Sequence, residues 1–221
     1  MKIGVIFDMD GVICHTNPFH KKAFEAFFDK YKVPYSEPEF EAHMYGKHNS
    51  YIMSHFFKRP VGGAELLSLE YEKEALFRDI YRESIASLPH YLPFLGALKA
   101  AGILTGVATS APRANLDLIL DGLGIRDTME SVLSSEDVQA HKPSPEVYLK
   151  TAEQLGLNPE DCLVFEDSYS GVSAAINAGM KVVGVLSSHK KEELPPCDFY
   201  IGDYNGIGPD TVRQLLSQGK L

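Results

Sequence analysis

At 221 residues and 44 % hydrophobic content, the chain is long enough for one α/β domain with a modest insertion around a sizeable core. A formal net charge of −9 argues against a partner held through a nucleic-acid backbone or an anionic lipid surface, yet leaves room for a local cationic pocket that takes a small phosphorylated molecule. The three cysteines, Cys14, Cys162 and Cys197, show no CxxC or Cys/His spacing, so neither a disulfide framework nor a structural zinc site is expected.

The first apolar run, residues 3–7, is broken by Asp8. It is too short for a signal-peptide core, and no later run approaches a membrane span. A soluble cytoplasmic protein without a membrane or nucleic-acid partner, monomeric by default, is the expectation. From about residue 14 to residue 88 no buried strand stands out. Pro34, Pro38, Gly46, Pro60 and Gly62-Gly63 separate helical stretches. Phe19, Ala23, Phe27 and Tyr31 recur at i+4, and residues 65–85 form a long helical candidate.

Beyond residue 90, short β-branched and apolar runs predict buried parallel strands at 103–108, 162–165 and 182–186, with a weaker one at 129–133. Helices are predicted between them: 116–123, then 145–155 with Ser144 as N-cap and Pro145 at the first position, then 168–178 stopped by Gly179. The alternation implies a Rossmann-like α/β fold, a parallel sheet with helices on both faces. Residues 1–13 and 89–221 form its core, and residues 14–88 a small helical domain inserted after the first strand.

Polar residues follow each strand. Asp8-Met9-Asp10-Gly11 follows the first, Thr109-Ser110 the second, and Glu166-Asp167-Ser168 follows the run at 162–165; Lys142-Pro143 lies in the loop after the weak candidate. The carboxyl ends of parallel strands share one edge, where ligands bind, so these groups should converge. Two carboxylates ~4 Å apart repel by roughly 4 kcal/mol at an effective dielectric of about 20. Asp8, Asp10, Glu166 and Asp167 therefore need a cation or shared protons. An all-oxygen set without a His or Cys cage favours Mg²⁺. Lys142 and the Thr109 and Ser110 hydroxyls are left to hold an anion, and phosphate fits. One carboxylate can then attack a phosphoryl group, and a second can pass a proton to the leaving alkoxide and take one from water. Asp10, followed by flexible Gly11, is placed for the second role. Taken singly, these residues have plainer readings: solvated loop acids for Asp8 and Asp10, a helix N-terminal acid for Glu166, and a helix N-cap for Thr109-Ser110.

Asp8-x-Asp10-Gly11-Val12, Thr109-Ser110, Lys142-Pro143 and Glu166-Asp167-Ser168 resemble, in order, the four motifs of the haloacid dehalogenase-like superfamily. The run Phe165-Glu166-Asp167-Ser168-x-x-Gly171-x-x-Ala174-Ala175-x-x-Ala178-Gly179-Met180 is similar to its β-phosphoglucomutase-like branch, which includes sugar phosphatases. The resemblance implies that Asp8 is the nucleophile and a metal ligand. Asp10 is then the acid/base and ligates Mg²⁺ through its carbonyl. Asp167 completes the metal site with Glu166, direct or through water, and Thr109, Ser110 and Lys142 bind the phosphoryl oxygens. It also implies that the helical insertion is a cap that helps choose the substrate. Dehalogenating members lack the second carboxylate of the first motif, so carbon–halogen chemistry is not expected.

Five insertion residues are candidates for substrate contact. His20 reads either as a surface helix histidine or, by the resemblance, as a residue that positions the acid/base. Lys47, His48 and Asn49 fall in the loop expected to face the pocket. Lys73 reads as part of a solvated charged face or, by the resemblance, as a substrate-facing lysine. No role is assigned to His15. The leading expectation is a Mg²⁺-dependent phosphatase acting on a small phosphorylated metabolite, a sugar phosphate foremost. The alternatives are a sugar-phosphate mutase using the same aspartyl-phosphate, an inorganic pyrophosphatase, and a non-catalytic phospho-accepting or phosphate-binding signalling module.

Overall fold

The computed structural model describes residues 2–44 and 49–217. By its contacts the chain divides into two units, Met1–His15 with Ile85–Leu221, and Thr16–Ser84.

The first unit contains β1 (Gly4–Phe7), α5 (Tyr91–Ala100), β2 (Leu104–Ala108), α6 (Arg113–Leu123), β3 (Ser131–Leu133), α7 (Glu146–Leu155), β4 (Cys162–Glu166), α8 (Tyr169–Asn177), β5 (Lys181–Val185), β6 (Phe199–Ile201) and α9 (Pro209–Ser217). Among the described residues the strands form one six-stranded sheet in the order β3-β2-β1-β4-β5-β6. Every pairing is parallel, with Val5 opposite Thr105 on one side and Leu163 on the other. The three-residue edge strand β6 is not predicted from the sequence, because 199–201 carries no apolar run long enough to read as a buried strand.

Side chains alternate between the two faces. Ile6, Val164 and Val182 pack with Val147 and Tyr148 of α7 and Val172 of α8. Phe7 turns the other way, with ring centroids 5.2 Å from Tyr91, 6.2 Å from Phe94 of α5 and 5.3 Å from Phe165. Tyr204 joins this aromatic layer, and its hydroxyl donates to the Val12 carbonyl at 3.1 Å, which ties down the loop after β1. The sheet is thus buried on both faces, as its near-continuous apolar strands require.

The unit boundary follows from backbone pairing. Gly11 N–H donates to the Cys14 carbonyl and Leu88 N–H to the Ile13 carbonyl, each at 2.7 Å, and Cys14 bridges Ser87. The outgoing and returning chains therefore pair at the base of β1's loop. This keeps Cys14 and His15, and residues from Ile85 onward, with the sheet rather than with the insertion.

The second unit contains α1 (Asn17–Tyr31), α2 (Glu37–Met44), α3 (Asn49–Phe56) and α4 (Gly63–Tyr81). Its core is aromatic: Phe24, Phe27, Phe28, Phe40 and Phe56 are all buried, with Phe28 and Phe56 centroids 4.7 Å apart. The solvated-face reading of Lys73 is wrong. Lys73 is 2 % exposed, because it lies in the α4 stripe Leu69-Lys73-Phe77-Tyr81, whose i+4 spacing faces the core. Among the described residues no helix is long and apolar enough to cross a membrane.

Phe7→Ala should cost about 3–5 kcal/mol of stability, since it removes a fully buried ring from the aromatic layer. Urea unfolding followed by circular dichroism checks this; a loss below ~1 kcal/mol would contradict the packing described.

Candidate active site

The chain builds β1, β2 and β3 outward in one direction, then returns to place β4 on the other side of β1. The carboxyl ends of β1 and β4 therefore flank the point where the strand order reverses, where a crevice opens in such sheets. Asp8 follows β1, Glu166 ends β4 and Asp167 comes next. One carboxylate oxygen from each lies within 4.8 Å of the others, and all three residues are buried.

Lys142 reaches this group from the loop before α7. Its ammonium donates to Asp8 Oδ1 at 2.6 Å, Glu166 Oε1 at 2.7 Å and the Ala108 carbonyl at 3.1 Å, which matches its three N–H donors. The sequence places it against an anion; here it clamps two carboxylates and the end of β2. Tyr148 of α7 lies beneath, its ring centroid 4.9 Å from the Lys142 nitrogen and its hydroxyl donating to Glu166 Oε1 at 2.9 Å.

Glu166 is saturated. Besides Lys142 and Tyr148 on Oε1, its Oε2 accepts from the N–H groups of Asp167 and Ser168 at 2.9 and 3.0 Å and from the Ser168 hydroxyl at 3.0 Å. Ser168 also caps α8, accepting from Gly171 N–H at 3.1 Å. A Cβ on Gly171 would sit 1.6 Å from Glu166 Oε1, so the motif spacing has a steric cause: the carboxylate occupies the place of a side chain at 171. Gly11 meets a similar demand. Its φ is +74°, and a Cβ there would lie 1.9 Å from Asp167 Oδ2.

The charge balance is uneven. Burial raises Glu166, but the Lys142 charge and hydrogen bond, with bonds from Ser168 and Tyr148, bring it below its ordinary value. Burial raises Asp8 to about 8 against the pull of Lys142, with Glu166 and Asp10 adding to the rise. Burial, then the charges of Glu166 and Asp8, hold Asp167 well above the ordinary carboxylate range. One ammonium does not neutralise this group. Buried carboxylates that bind protons so tightly, with oxygen donors only, suit a hard divalent cation in the protons' place. Asp8 and Asp167 are the oxygen donors that would hold it, because Glu166 has given its lone pairs to protein donors.

Asp10 is half-buried on the turn after β1, bridging Cys14, outside the three-carboxylate group. Thr109 is buried; its hydroxyl accepts from Ala111 N–H at 3.0 Å and keeps its own proton to donate, whereas Ser110 is exposed. In the helical unit, Lys73 meets His20 Nδ1 and Glu74 Oε1, each at 2.8 Å, and lies 4.4 Å from the Phe24 centroid. His20 stacks on Phe77 at 3.8 Å, and Asn49 donates to Glu74 at 3.2 Å. His20, Asn49 and Lys73 are thus one network within that unit. Lys47 and His48 lie outside the described residues. His15 is exposed.

Tyr148 and the segment Ser187-Ser188-His189 are not singled out by the reading of the sequence. Tyr148 follows Lys142 by six residues, and only its contact with Glu166 reveals it. Ser187, Ser188 and His189 follow β5 at the same sheet edge, so the strand-end rule that marks Asp8 and Glu166 is a signal for them too. Ser187 donates to the Gly11 carbonyl and His189 Nδ1 to the Asp167 carbonyl at 2.9 Å.

The family model for "Haloacid dehalogenase-like hydrolase" matches residues 5–185. The chain is 30 % identical to the fructose-1-phosphate phosphatase YqaB of Escherichia coli, over 82 % of this chain and 95 % of that protein. It is 32 % identical to the phosphorylated carbohydrates phosphatase of Thermotoga maritima, over 83 % of this chain and 85 % of that one. The crystal structure of a hydrolase of this type, family IA, variant 3, from Entamoeba histolytica has the same fold, with a TM-score of 0.90 at 24 % identity over 98 % of this chain and 99 % of that chain.

Gly171→Ala should displace the Glu166 carboxylate and break its pairing with Lys142, costing about 3–5 kcal/mol as buried ion pairs do when broken. Urea unfolding checks it, and an unchanged midpoint would contradict the packing of Glu166 on α8. A second expectation concerns pH. Asp8 and Asp167 bind protons more tightly folded than unfolded, so the folded chain carries more protons between the ordinary 3.8 and about 8. Stability contributed this way is present at the acid end and is lost as pH rises through that window. In EDTA, Tm should therefore fall from about pH 5 to about pH 8, and saturating Mg²⁺ should flatten the slope. A Tm that rises across the window in EDTA would contradict the assignment.

Proposed function

The chain belongs to the haloacid dehalogenase-like hydrolases, and from that premise we propose that it is a Mg²⁺-dependent phosphatase that hydrolyses a small sugar phosphate through an aspartyl-phosphate on Asp8. The observation that carries this reading is Asp8 itself. It is a buried carboxylate at the strand-order reversal, held at 2.6 Å by Lys142 and grouped with Asp167. The sugar-phosphate class is supported by the two phosphatases at 30 % and 32 % identity, whose named substrates are a ketose phosphate and phosphorylated carbohydrates.

The steps follow from charge and proton accounting. Lys142 fixes Asp8 through Oδ1, so the carboxylate meets a phosphoryl group in one orientation. A carboxylate oxygen of Asp8 bonds to phosphorus while the bond from phosphorus to the sugar oxygen breaks. Asp10 gives its proton to the departing alkoxide, then takes a proton from the water that attacks the aspartyl-phosphate, which returns Asp8 as carboxylate and releases phosphate. Thr109 donates its hydroxyl proton to a phosphoryl oxygen. Glu166 keeps Lys142 charged and in place. Asp8 and Asp167 would hold a Mg²⁺, whose charge would screen the carboxylates from the phosphoryl oxygens. Water rather than a second sugar is the acceptor, because a mutase must grip a distal phosphate. Asn49, in the run expected to face the pocket, has neither the charge nor the fork for that grip, and it donates one amide N–H to Glu74.

Asp8→Asn should keep the fold and lose turnover on the order of a thousandfold or more, since an amide does not form the acyl-phosphate. EDTA should abolish activity and Mg²⁺ restore it. Steady-state assays over a panel of sugar phosphates check both, with phosphate release and isomerised product measured together. Turnover by Asp8→Asn close to wild type, or isomerisation faster than release, would overturn the reading.

A further inference from the structure

The site is fixed on one side by β1, β4 and the Lys142 loop. Its other side is formed by the segment that follows β5. His189 donates from Nδ1 to the Asp167 carbonyl at 2.9 Å. A carbonyl oxygen only accepts, so this nitrogen carries the proton. The Ser188 hydroxyl bonds the Asp167 carboxylate. The Ser187 hydroxyl donates to the Gly11 carbonyl and lies 3.3 Å from that of Ser188. A Cβ on Gly11 would come within 2.8 Å of Ser188 Oγ as well as 1.9 Å of Asp167 Oδ2, so turn, hydroxyl and carboxylate are in direct packing.

Asp167 is thereby held at three points. Its N–H is taken by Glu166 Oε2 at 2.9 Å, its carbonyl by His189 and its carboxylate by Ser188. A buried carboxylate that is to bind a cation must point its free lone pairs at one place, and groups that bond a ligand from behind set that direction. If Ser187, Ser188 and His189 served only to turn the chain between β5 and β6, their polar atoms would be spent within that loop. Instead they reach Gly11 and Asp167.

We propose that Ser188 and His189 are positioning residues that set the Asp167 carboxylate for Mg²⁺. The proposal rests on the reading that Asp167 holds the metal. Neither residue touches the substrate or the phosphorus atom in this account. Their loss should weaken metal binding while leaving the chemistry of the loaded site nearly intact.

The test is calorimetric titration of MgCl₂ into protein without substrate, paired with activity measured against Mg²⁺ concentration. Ser188→Ala and His189→Ala should each weaken Mg²⁺ binding by about 10–100-fold, the usual effect of losing such a contact. They should raise the Mg²⁺ needed for half-maximal activity by the same factor, with kcat at saturating Mg²⁺ within about threefold of wild type. Ser188→Thr, which keeps the hydroxyl, and His189→Asn, which keeps a side-chain N–H donor, should restore most of the affinity. Thermal unfolding in EDTA identifies a variant that does not fold, in which case the other alanine variant decides. Wild-type affinity in the folded alanine variants overturns the proposal, as does an equal loss in the Thr and Asn variants. Wild-type protein that takes up no Mg²⁺ overturns the metal reading, and this inference with it.

Discussion

Lys142 brings one ammonium to three buried carboxylates, and the arrangement of the rest follows from that imbalance. Its nitrogen joins Asp8 after β1, Glu166 at the end of β4 and the Ala108 carbonyl at the end of β2. Three neighbouring strands of the sheet are thus tied at their carboxyl ends by a single charge. Glu166 is the carboxylate that ends below its ordinary value, since Tyr148 and the start of α8 donate to it as well as Lys142. Asp8 and Asp167 are left without enough counter-charge in a place where burial penalises ionisation, so both hold their protons more tightly than usual.

This separates the four acids by task. Glu166 is enclosed by donors and serves as the fixed counter-charge to Lys142. In the proposed mechanism Asp8 and Asp167 hold the cation, and Asp8 attacks phosphorus. Asp10, half-buried on the turn outside the group, carries the proton exchange in that mechanism. Two glycines make the packing feasible. Gly171 leaves space for Glu166 against α8, and Gly11 supplies both a positive φ and room for Asp167. Both glycines mark where a carboxylate sits.

Much of this is legible in the amino-acid sequence. Apolar runs bounded by Asp8, Thr109 and Glu166 mark strands, and strand ends of a parallel sheet share an edge, so convergence of the acids with Lys142 follows. The strand order does not, because nothing in a run of Val and Ile says which neighbour it pairs. β6 is hidden because three residues at a sheet edge, two of them not buried, carry no apolar signature. The charge of Lys73 suggests a solvated face, but its position decides, since Leu69, Phe77 and Tyr81 share its i+4 stripe. Tyr148 leaves no trace in the sequence, because its role depends on a hydroxyl reaching Glu166 across the fold.

The mechanism stands on Asp8 carrying the phosphoryl group covalently. Rapid mixing with a sugar phosphate and Mg²⁺, acid quenching within one turnover, and borohydride reduction would convert an aspartyl-phosphate to homoserine, which peptide mass spectrometry locates. Homoserine at position 8, absent when substrate or Mg²⁺ is omitted, is the expected result. Phosphate release in the same time course with Asp8 unmodified, or homoserine at another aspartate, would contradict covalent catalysis by Asp8.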